Sequence, residues 1–165
     1  MKAFHVVADS SCLIGLAQIK QFSLLKELFL EVFIPEAVYK EVVIEGKNEV
    51  GSQETVNAIK EGWIKKKIVQ DKVAAKALSS ILGAGETETI ILAKELDLDY
   101  ALIDEKMARA EAGLMEVKVI GTIGLIDFAI ESGFEIDKKS IIDQLIKKGF
   151  RISDKLYKKM FLNSK

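Results

Sequence analysis

The sequence predicts an α/β protein of three layers, in which helices cover both faces of a mainly parallel central sheet. Short apolar runs of strand length alternate along the chain with longer segments whose apolar residues recur at helical spacing. Parallel strands need such helical crossovers, so the alternation indicates a parallel sheet. With 165 residues the chain is long enough for one domain with a substantial core, and we expect a single domain over residues 1–165.

Strands and helices alternate in the first half of the chain. The predicted strands cover residues 4–8, 32–34 and 63–69. The helices between them are expected at residues 12–16, 22–29, 35–44 and 55–61. Pro35 opens the third of these helices, where its missing N–H is not needed. The polar segment "EGKNEVGSQ" follows as a loop.

The second half continues this order and ends in a helical tail. Helices are predicted at residues 72–82 and 86–96, with "GAG" as a break between them. A strand at 101–103, a helix at 106–115, a strand at 117–120 and a helix at 122–131 follow. The tail has the pattern of two amphipathic helices, and we expect residues 137–165 to be a C-terminal helical appendage rather than a second domain.

The composition excludes several classes of protein. The net charge of −1 gives no general attraction to nucleic acid. The single Cys12 excludes an internal disulfide and favours a reducing compartment, so we expect a cytoplasmic protein. No run approaches the roughly 18 apolar residues of a membrane span, and we expect no association with a membrane.

Two acids directly follow apolar strands. Asp9 follows the first strand and Asp104 follows the strand at 101–103. Sites in open parallel sheets form beyond the carboxyl ends of the strands, so both side chains are expected in one crevice. Aspartate also caps helices frequently, and either acid taken alone fits that simpler role equally well.

Glu41 is an acid within an apolar helical stripe. In "IPEAVYKEVV" the helical wheel places it among Ala37, Val38 and Val42. A carboxylate in such a stripe needs a partner or a cation, unless it lies at the rim and reaches water.

Glu86 and Glu88 begin another helix. Acids are favoured at this position by the helix dipole. The two lie about 200° apart around the helix axis, so at most one of them faces the crevice. A nucleotide-binding glycine loop is excluded here, because a helix rather than a strand precedes "GAGETE" and its acids would repel a pyrophosphate.

Acids from four separated segments therefore point to metal chemistry. Converging carboxylates repel one another unless a cation joins them, and carboxylate oxygens are the ligands of Mg²⁺ or Mn²⁺. A metal held in this way can generate hydroxide and stabilise the charge of a phosphoryl transfer. Competing chemistries are weak: His5 lies within a strand, and one histidine with Cys12 does not make a zinc site.

Stretches spread over nearly the whole chain resemble the PIN domain, a family of metal-dependent ribonucleases. The resemblance lies in "VVADSSCLIGLAQI", "IPEAVYKEV", "GETETIILA" and "YALIDEKMARA". The further stretch "VIGTIGLIDFAIESG" is similar to a prokaryotic PIN-like branch of predicted nucleic-acid-binding proteins. The resemblance implies a Mg²⁺- or Mn²⁺-dependent endoribonuclease that acts on RNA.

The resemblance also implies the site residues. The metal ligands, which would also orient the attacking water, would be Asp9, Glu41, Glu88 and Asp104. The secondary candidates are Ser10, Glu86 and Glu105. The sequence departs from the family pattern in two places, because Glu88 replaces the usual aspartate and "LIDEK" replaces the usual Thr-x-Asp.

Partners and rival functions complete the expectations. Many small relatives are toxins paired with an antitoxin, and many form homodimers. The apolar residues of "KKGFRISDKLYKKMF" suit dimerisation, partner binding or plain packing on the core. Lys65, Lys66 and Lys67 suit contacts with RNA phosphates or a solvated strand face.

The rival functions are a silent nucleic-acid- or partner-binding module and, more weakly, a receiver-like or phosphatase protein with Asp9 as nucleophile.

Overall fold

A five-stranded sheet, parallel throughout, forms the centre of the protein. The computed structural model describes residues 2–162. Its strands are β1 (His5–Ala8), β2 (Glu31–Pro35), β3 (Ile64–Lys67), β4 (Tyr100–Leu102) and β5 (Val119–Ile120). They lie in the order β3-β2-β1-β4-β5. Neighbours pair in register, for example Val6 with Val32 and Val7 with Ala101. The predicted parallel sheet is confirmed.

Helices connect the strands, as the alternating pattern predicts. Those of residues 2–162 are α1 (Ser10–Gln18), α2 (Leu24–Leu28), α3 (Glu36–Tyr39), α4 (Ser52–Glu61), α5 (Lys72–Leu78), α6 (Ala84–Glu95), α7 (Lys106–Leu114), α8 (Thr122–Glu131), α9 (Lys138–Lys147) and α10 (Asp154–Phe161). Helix α3 continues into a π-helical segment, Lys40–Glu45. No helix in this part of the chain is long and apolar enough to cross a membrane.

The break predicted at "GAG" lies earlier in the chain than expected, because α5 ends at Leu78 and α6 begins at Ala84. Gly83 is the N-cap of α6, and Gly85 already lies in its first turn. The Gly85 N–H has no partner within the first turn of the helix, and a carboxylate oxygen of Glu41 accepts its hydrogen bond.

Alternating side chains of the strands bury against helices on both faces of the sheet. On one face Val6 and Ala8 join the main core with apolar residues of α1, α2, α8 and α9. On the other face Val7 packs with residues of α6 and α7. Because successive strand residues point to opposite faces, both layers are required, and the predicted three-layer architecture is confirmed.

The start of the C-terminal tail is part of the main core. Ile142 and Leu145 of α9 are fully buried. Beyond α9, Phe150, Tyr157 and Phe161 pack, partly buried, against the same core. Most of the apolar side of this tail is thus used within the chain. Residues 163–165 of the predicted appendage lie outside the described residues.

Candidate active site

The crevice between β1 and β4 is a topological switch point of the sheet. From β1 the chain proceeds outward to β2 and β3, then returns to β4 on the other side of β1. Connections that leave adjacent strands in opposite directions open a crevice at the carboxyl ends of those strands. Asp9 and Asp104 line this crevice, which is a cavity of about 710 Å³.

Asp9 is buried and electrostatically unfavourable as an anion. It caps α1, where its Oδ1 accepts a hydrogen bond from Ser10 N at 2.7 Å. The side chain is only 4% exposed. Burial raises the pKa of Asp9 from 3.8 to about 7; the Ser10 N–H opposes this, while the charges of Glu86, Glu41 and Asp104 raise it further. Asp9 therefore both caps α1 and lines the cavity.

The π-helical segment and a glycine position Glu41. Its Oε1 accepts a hydrogen bond from Gly85 N at 3.0 Å, and its Oε2 accepts one from Ser10 Oγ. The carboxylate thus lies at the N-terminus of α6, where the helix dipole favours an anion. A Cβ on Gly85 would lie 2.7 Å from both carboxylate oxygens, so only glycine leaves room for Glu41.

Thr122 holds both oxygens of Asp104. The Thr122 N–H donates to Oδ1 and the hydroxyl donates to Oδ2, each at 2.6 Å. Thr122 is fully buried at the start of α8. Sequence reasoning missed both Gly85 and Thr122. Their signal was a glycine in a helical first turn and a hydroxyl residue directly after the strand–glycine sequence "VIG".

Glu86 and Glu88 lie in different surroundings, which bears on the expectation that Glu88 is the third acid of the site. Glu86 lines the cavity, and burial raises its pKa, with further contributions from Glu105 and Glu41. Glu88 Oε1 instead accepts a hydrogen bond from Ala37 N at 3.1 Å. Its carboxylate thereby serves the first turn of α3, whose N-cap Pro35 forms no side-chain cap hydrogen bond.

The remaining candidates divide between the rim of the cavity and a distant strand. Glu105 lines the cavity and also caps α7, since its Oε2 accepts from Ala108 N at 2.7 Å. The lysines lie on β3 instead. Lys65 forms an ion pair with Glu31, and the Nζ of Lys66 lies 4.2 Å from the centre of the Tyr39 ring. The cations that do line the cavity are Lys106 and Arg151.

The acids that line the cavity are of the ligand type that hard divalent cations prefer. Carboxylates of Asp9, Glu41, Glu86 and Asp104 surround one cavity, and none of them forms an ion pair with another described residue. Within residues 2–162, however, no three acidic, histidine or cysteine side chains already form a group that could hold a metal. Protein hydrogen-bond donors hold Glu41 and Asp104 separately instead.

Two residues considered for other chemistry are engaged elsewhere. His5 Nδ1 lies 3.0 Å from a carboxylate oxygen of Glu31. Cys12 is buried, and burial raises the pKa of its thiol well above the usual value, so it is a poor nucleophile.

Comparison with protein families agrees with this geometry. The family model of the PIN domain matches residues 5–164. No curated protein matches the chain. The resemblance inferred from the sequence motifs is confirmed by a match of nearly the whole length and by the fold. The protein belongs to the PIN domain family, whose members are generally nucleases.

Proposed function

We propose that this protein is a divalent-metal-dependent endoribonuclease that hydrolyses phosphodiester bonds of RNA. The convergence of Asp9, Glu41, Glu86 and Asp104 on one cavity at the switch point supports this proposal most strongly. The charges of Glu86, Glu41 and Asp104 add to the raised pKa of Asp9, and a bound cation would relieve that repulsion. Membership of a family of nucleases supports the same reaction class.

The four acids share one part in the proposed site, and neighbouring residues direct two of them. Asp9, Glu41, Glu86 and Asp104 would hold Mg²⁺ or Mn²⁺. When bound, such a cation supplies hydroxide generation and neutralises charge at the scissile phosphate. Ser10 and Gly85 fix the direction of the Glu41 carboxylate, and Thr122 fixes that of Asp104. Fixed carboxylates orient the attacking water with little reorganisation.

A silent nucleic-acid- or partner-binding module is the second candidate. The observation in its favour is that no group of three ligating side chains stands ready within residues 2–162. In that case the cavity lined by Asp9, Glu41, Glu86 and Asp104, here called the acid cavity, would bind cationic groups of a partner. Such groups would be lysine or arginine side chains of an antitoxin-like protein.

A cleavage assay separates the two candidates. The purified protein is incubated with a mixed RNA pool in Mn²⁺, Mg²⁺ or EDTA, and products are resolved by length. We expect internal cleavage with metal and none in EDTA. Asp104→Asn should abolish cleavage, whereas Asp127→Asn on the outer part of α8 serves as the matched control because its carboxylate pairs with Lys138. Retained cleavage in Asp104→Asn would refute the proposed site.

Partners remain part of the proposal. An antitoxin-like protein and a homodimer are both compatible with exposed apolar side chains such as Val73 and Leu114, which are 82% and 79% exposed. Light scattering of the purified chain measures the oligomeric state, and a monomer at micromolar concentration would exclude a stable homodimer.

A further inference from the structure

The two arginines of the chain line the same cavity. The sequence contains 22 lysines but only Arg109 and Arg151 as arginines. Arg109 lies on α7 and Arg151 between α9 and α10, yet both line a second cavity of about 510 Å³. Arginine differs from lysine in its planar guanidinium, which stacks on rings and binds phosphate with two parallel hydrogen bonds. In a chain that uses lysine almost everywhere else, this placement indicates a site for a planar or phosphorylated ligand.

Four aromatic side chains and several aliphatic ones also line this cavity. Phe4, Tyr100, Phe128 and Phe150 contribute to its lining. Phe4 and Tyr100 meet edge to face, with ring centres 5.3 Å apart. The volume lies within the range of roughly 300–1,000 Å³ typical of small-molecule sites. Aromatic and arginine side chains in one lining are suited to a nucleobase, because any base presents a flat face for stacking.

The cavity of about 510 Å³, here called the aromatic cavity, adjoins the acid cavity. Both are lined by Asp104, Phe150 and Arg151. Gly121 lies at the junction, where an added Cβ would be 3.1 Å from Asp104 Oδ1 and 3.4 Å from Arg109 Nη1. Neither arginine forms an ion pair with a residue of the described part of the chain. Both guanidinium groups therefore remain available to a ligand that extends from one cavity into the other.

We propose that the aromatic cavity binds the base of a nucleotide next to the scissile bond of single-stranded RNA, with Arg109 and Arg151 on the adjacent phosphates. The assignment of the ligand as RNA rests on the proposed function. An unpaired base enters such a cavity without the cost of breaking a base pair, so the substrate would be single-stranded at this position. The net charge of −1 gives the protein no general attraction to the phosphates of RNA. Contacts with a base at this site would supply part of the affinity for the substrate.

Binding without metal tests this site independently of cleavage. The probe is a fluorescein-labelled RNA octamer, compared by anisotropy in EDTA with an octamer of the same ribose–phosphate backbone that lacks bases. We expect the wild type to bind the base-containing octamer about tenfold more tightly. Equal affinity for the two octamers would overturn the proposal and leave a side chain of a partner protein as the occupant.

Variants locate the binding to the cavity. Leu156 lines the cavity and is 41% exposed, so Leu156→Trp should fill the space and abolish the preference for bases. Ile146→Trp is the matched control, because Ile146 is similarly exposed at 39% on α9 and does not line either cavity. Unchanged base preference in Leu156→Trp, with folding verified by circular dichroism, would overturn the proposal.

Charge-conserving variants provide a second test that leaves the core intact. Arg109→Lys and Arg151→Lys keep the positive charge but lose the planar fork, and each should weaken binding of the base-containing octamer by about three- to tenfold. Lys118→Gln removes a charge just before β5 outside both cavities and should change binding less than twofold. A larger effect of Lys118→Gln than of either arginine variant would overturn the proposal.

The two proposals can fail separately. If the wild type cleaves RNA in Mn²⁺ but binds both octamers equally, the proposed base site is refuted and the proposed nuclease activity stands. Base-dependent binding that is lost in Leu156→Trp, without cleavage in any metal, would establish the base site on a silent binding module.

Discussion

At the scale of single residues, the burial of acids determines how the site responds to protons and to metal. Asp9 is nearly fully buried beside three other acids, and burial with those neighbours raises its pKa to about 7. When folding raises the pKa of an acid, the protein loses stability as the pH rises. The loss begins near the pKa of the acid in the unfolded state and is complete above its pKa in the folded state. The acid cavity is therefore most strained at neutral and alkaline pH when no cation is bound.

Asp9→Asn should stabilise the metal-free protein, increasingly so at higher pH. The gain should be negligible below about pH 4, grow between pH 4 and 7, and level off above that range. The difference between 3.8 and about 7 corresponds to at most about 4 kcal/mol. Urea denaturation in EDTA at pH 5 and pH 8 measures it. A gain that is equal at both pH values would contradict the assignment of the strain to Asp9.

Glu86 and Glu88 allow a matched comparison on one helix. Glu86→Gln should lower RNA cleavage by a large factor, because an amide binds Mg²⁺ far less well than a carboxylate. Glu88→Gln should leave cleavage nearly unchanged and cost less than about 1 kcal/mol, since the amide oxygen can still accept from Ala37 N. Cleavage kinetics on both variants check this. If Glu88→Gln were the more damaging, Glu88 would be the third acid despite its position.

At the scale of elements, α3 with its π-helical extension and α6 support each other through their acids. Glu41 from the extension accepts from the N-terminus of α6, while Glu88 from α6 accepts from the N-terminus of α3. The extra residue of a π-helical turn changes the direction of the side chains that follow, and such turns are frequent at functional sites. The direction of Glu41 toward the cavity is thus a property of the helix pair.

Gly85→Ala should disrupt this pair. The new Cβ would lie 2.7 Å from both Glu41 carboxylate oxygens and would displace them. We expect a loss of about 1–3 kcal/mol in the free energy of unfolding, together with a loss of cleavage.

Gly113→Ala is the control for that experiment. Gly113 lies within α7, and a Cβ there would meet nothing within 4 Å. The substitution should stabilise the protein by roughly 0.5–1 kcal/mol through helix propensity. A similar gain in Gly85→Ala, measured by denaturation, would show that Glu41 does not need the space.

At the scale of the whole molecule, strand order brings the acids together. The switch between β1 and β4 brings Asp9 and Asp104 to one crevice, and helices from the two halves of the chain add Glu41 and Glu86. Metal binding at this crevice would join segments from nearly the whole fold, so its effect should appear in global stability.

Mn²⁺ should raise the melting temperature. At a concentration 100 times the dissociation constant, binding stabilises the native state by about 2.7 kcal/mol, provided the unfolded chain does not bind. That corresponds to roughly 5–10 °C for a domain of this size. Thermal melts are compared with a monovalent salt of equal ionic strength, and Asp104→Asn should remove the shift. The absence of any shift in the wild type would count against a metal site of useful affinity.

The sequence by itself determined the fold class, the order of strands and helices, and the arrival of Asp9 and Asp104 at strand ends. These follow from local periodicity and from the geometry of parallel sheets, which act within short segments. It also placed Glu41 in an apolar stripe, which indicated that this acid needed a partner.

Only the tertiary structure showed that Glu86 lines the cavity while Glu88 accepts from Ala37 N, and it revealed Gly85, Thr122 and the two arginines. Each depends on a contact between segments far apart in sequence: Glu41 with Gly85 across 44 residues, Ala37 with Glu88 across 51, and Asp104 with Thr122 across 18. Helical periodicity shows that Glu86 and Glu88 point in different directions, but not which direction faces the cavity. That choice is set by how α6 packs against α3 and the sheet, because packing fixes the rotation of the helix about its axis.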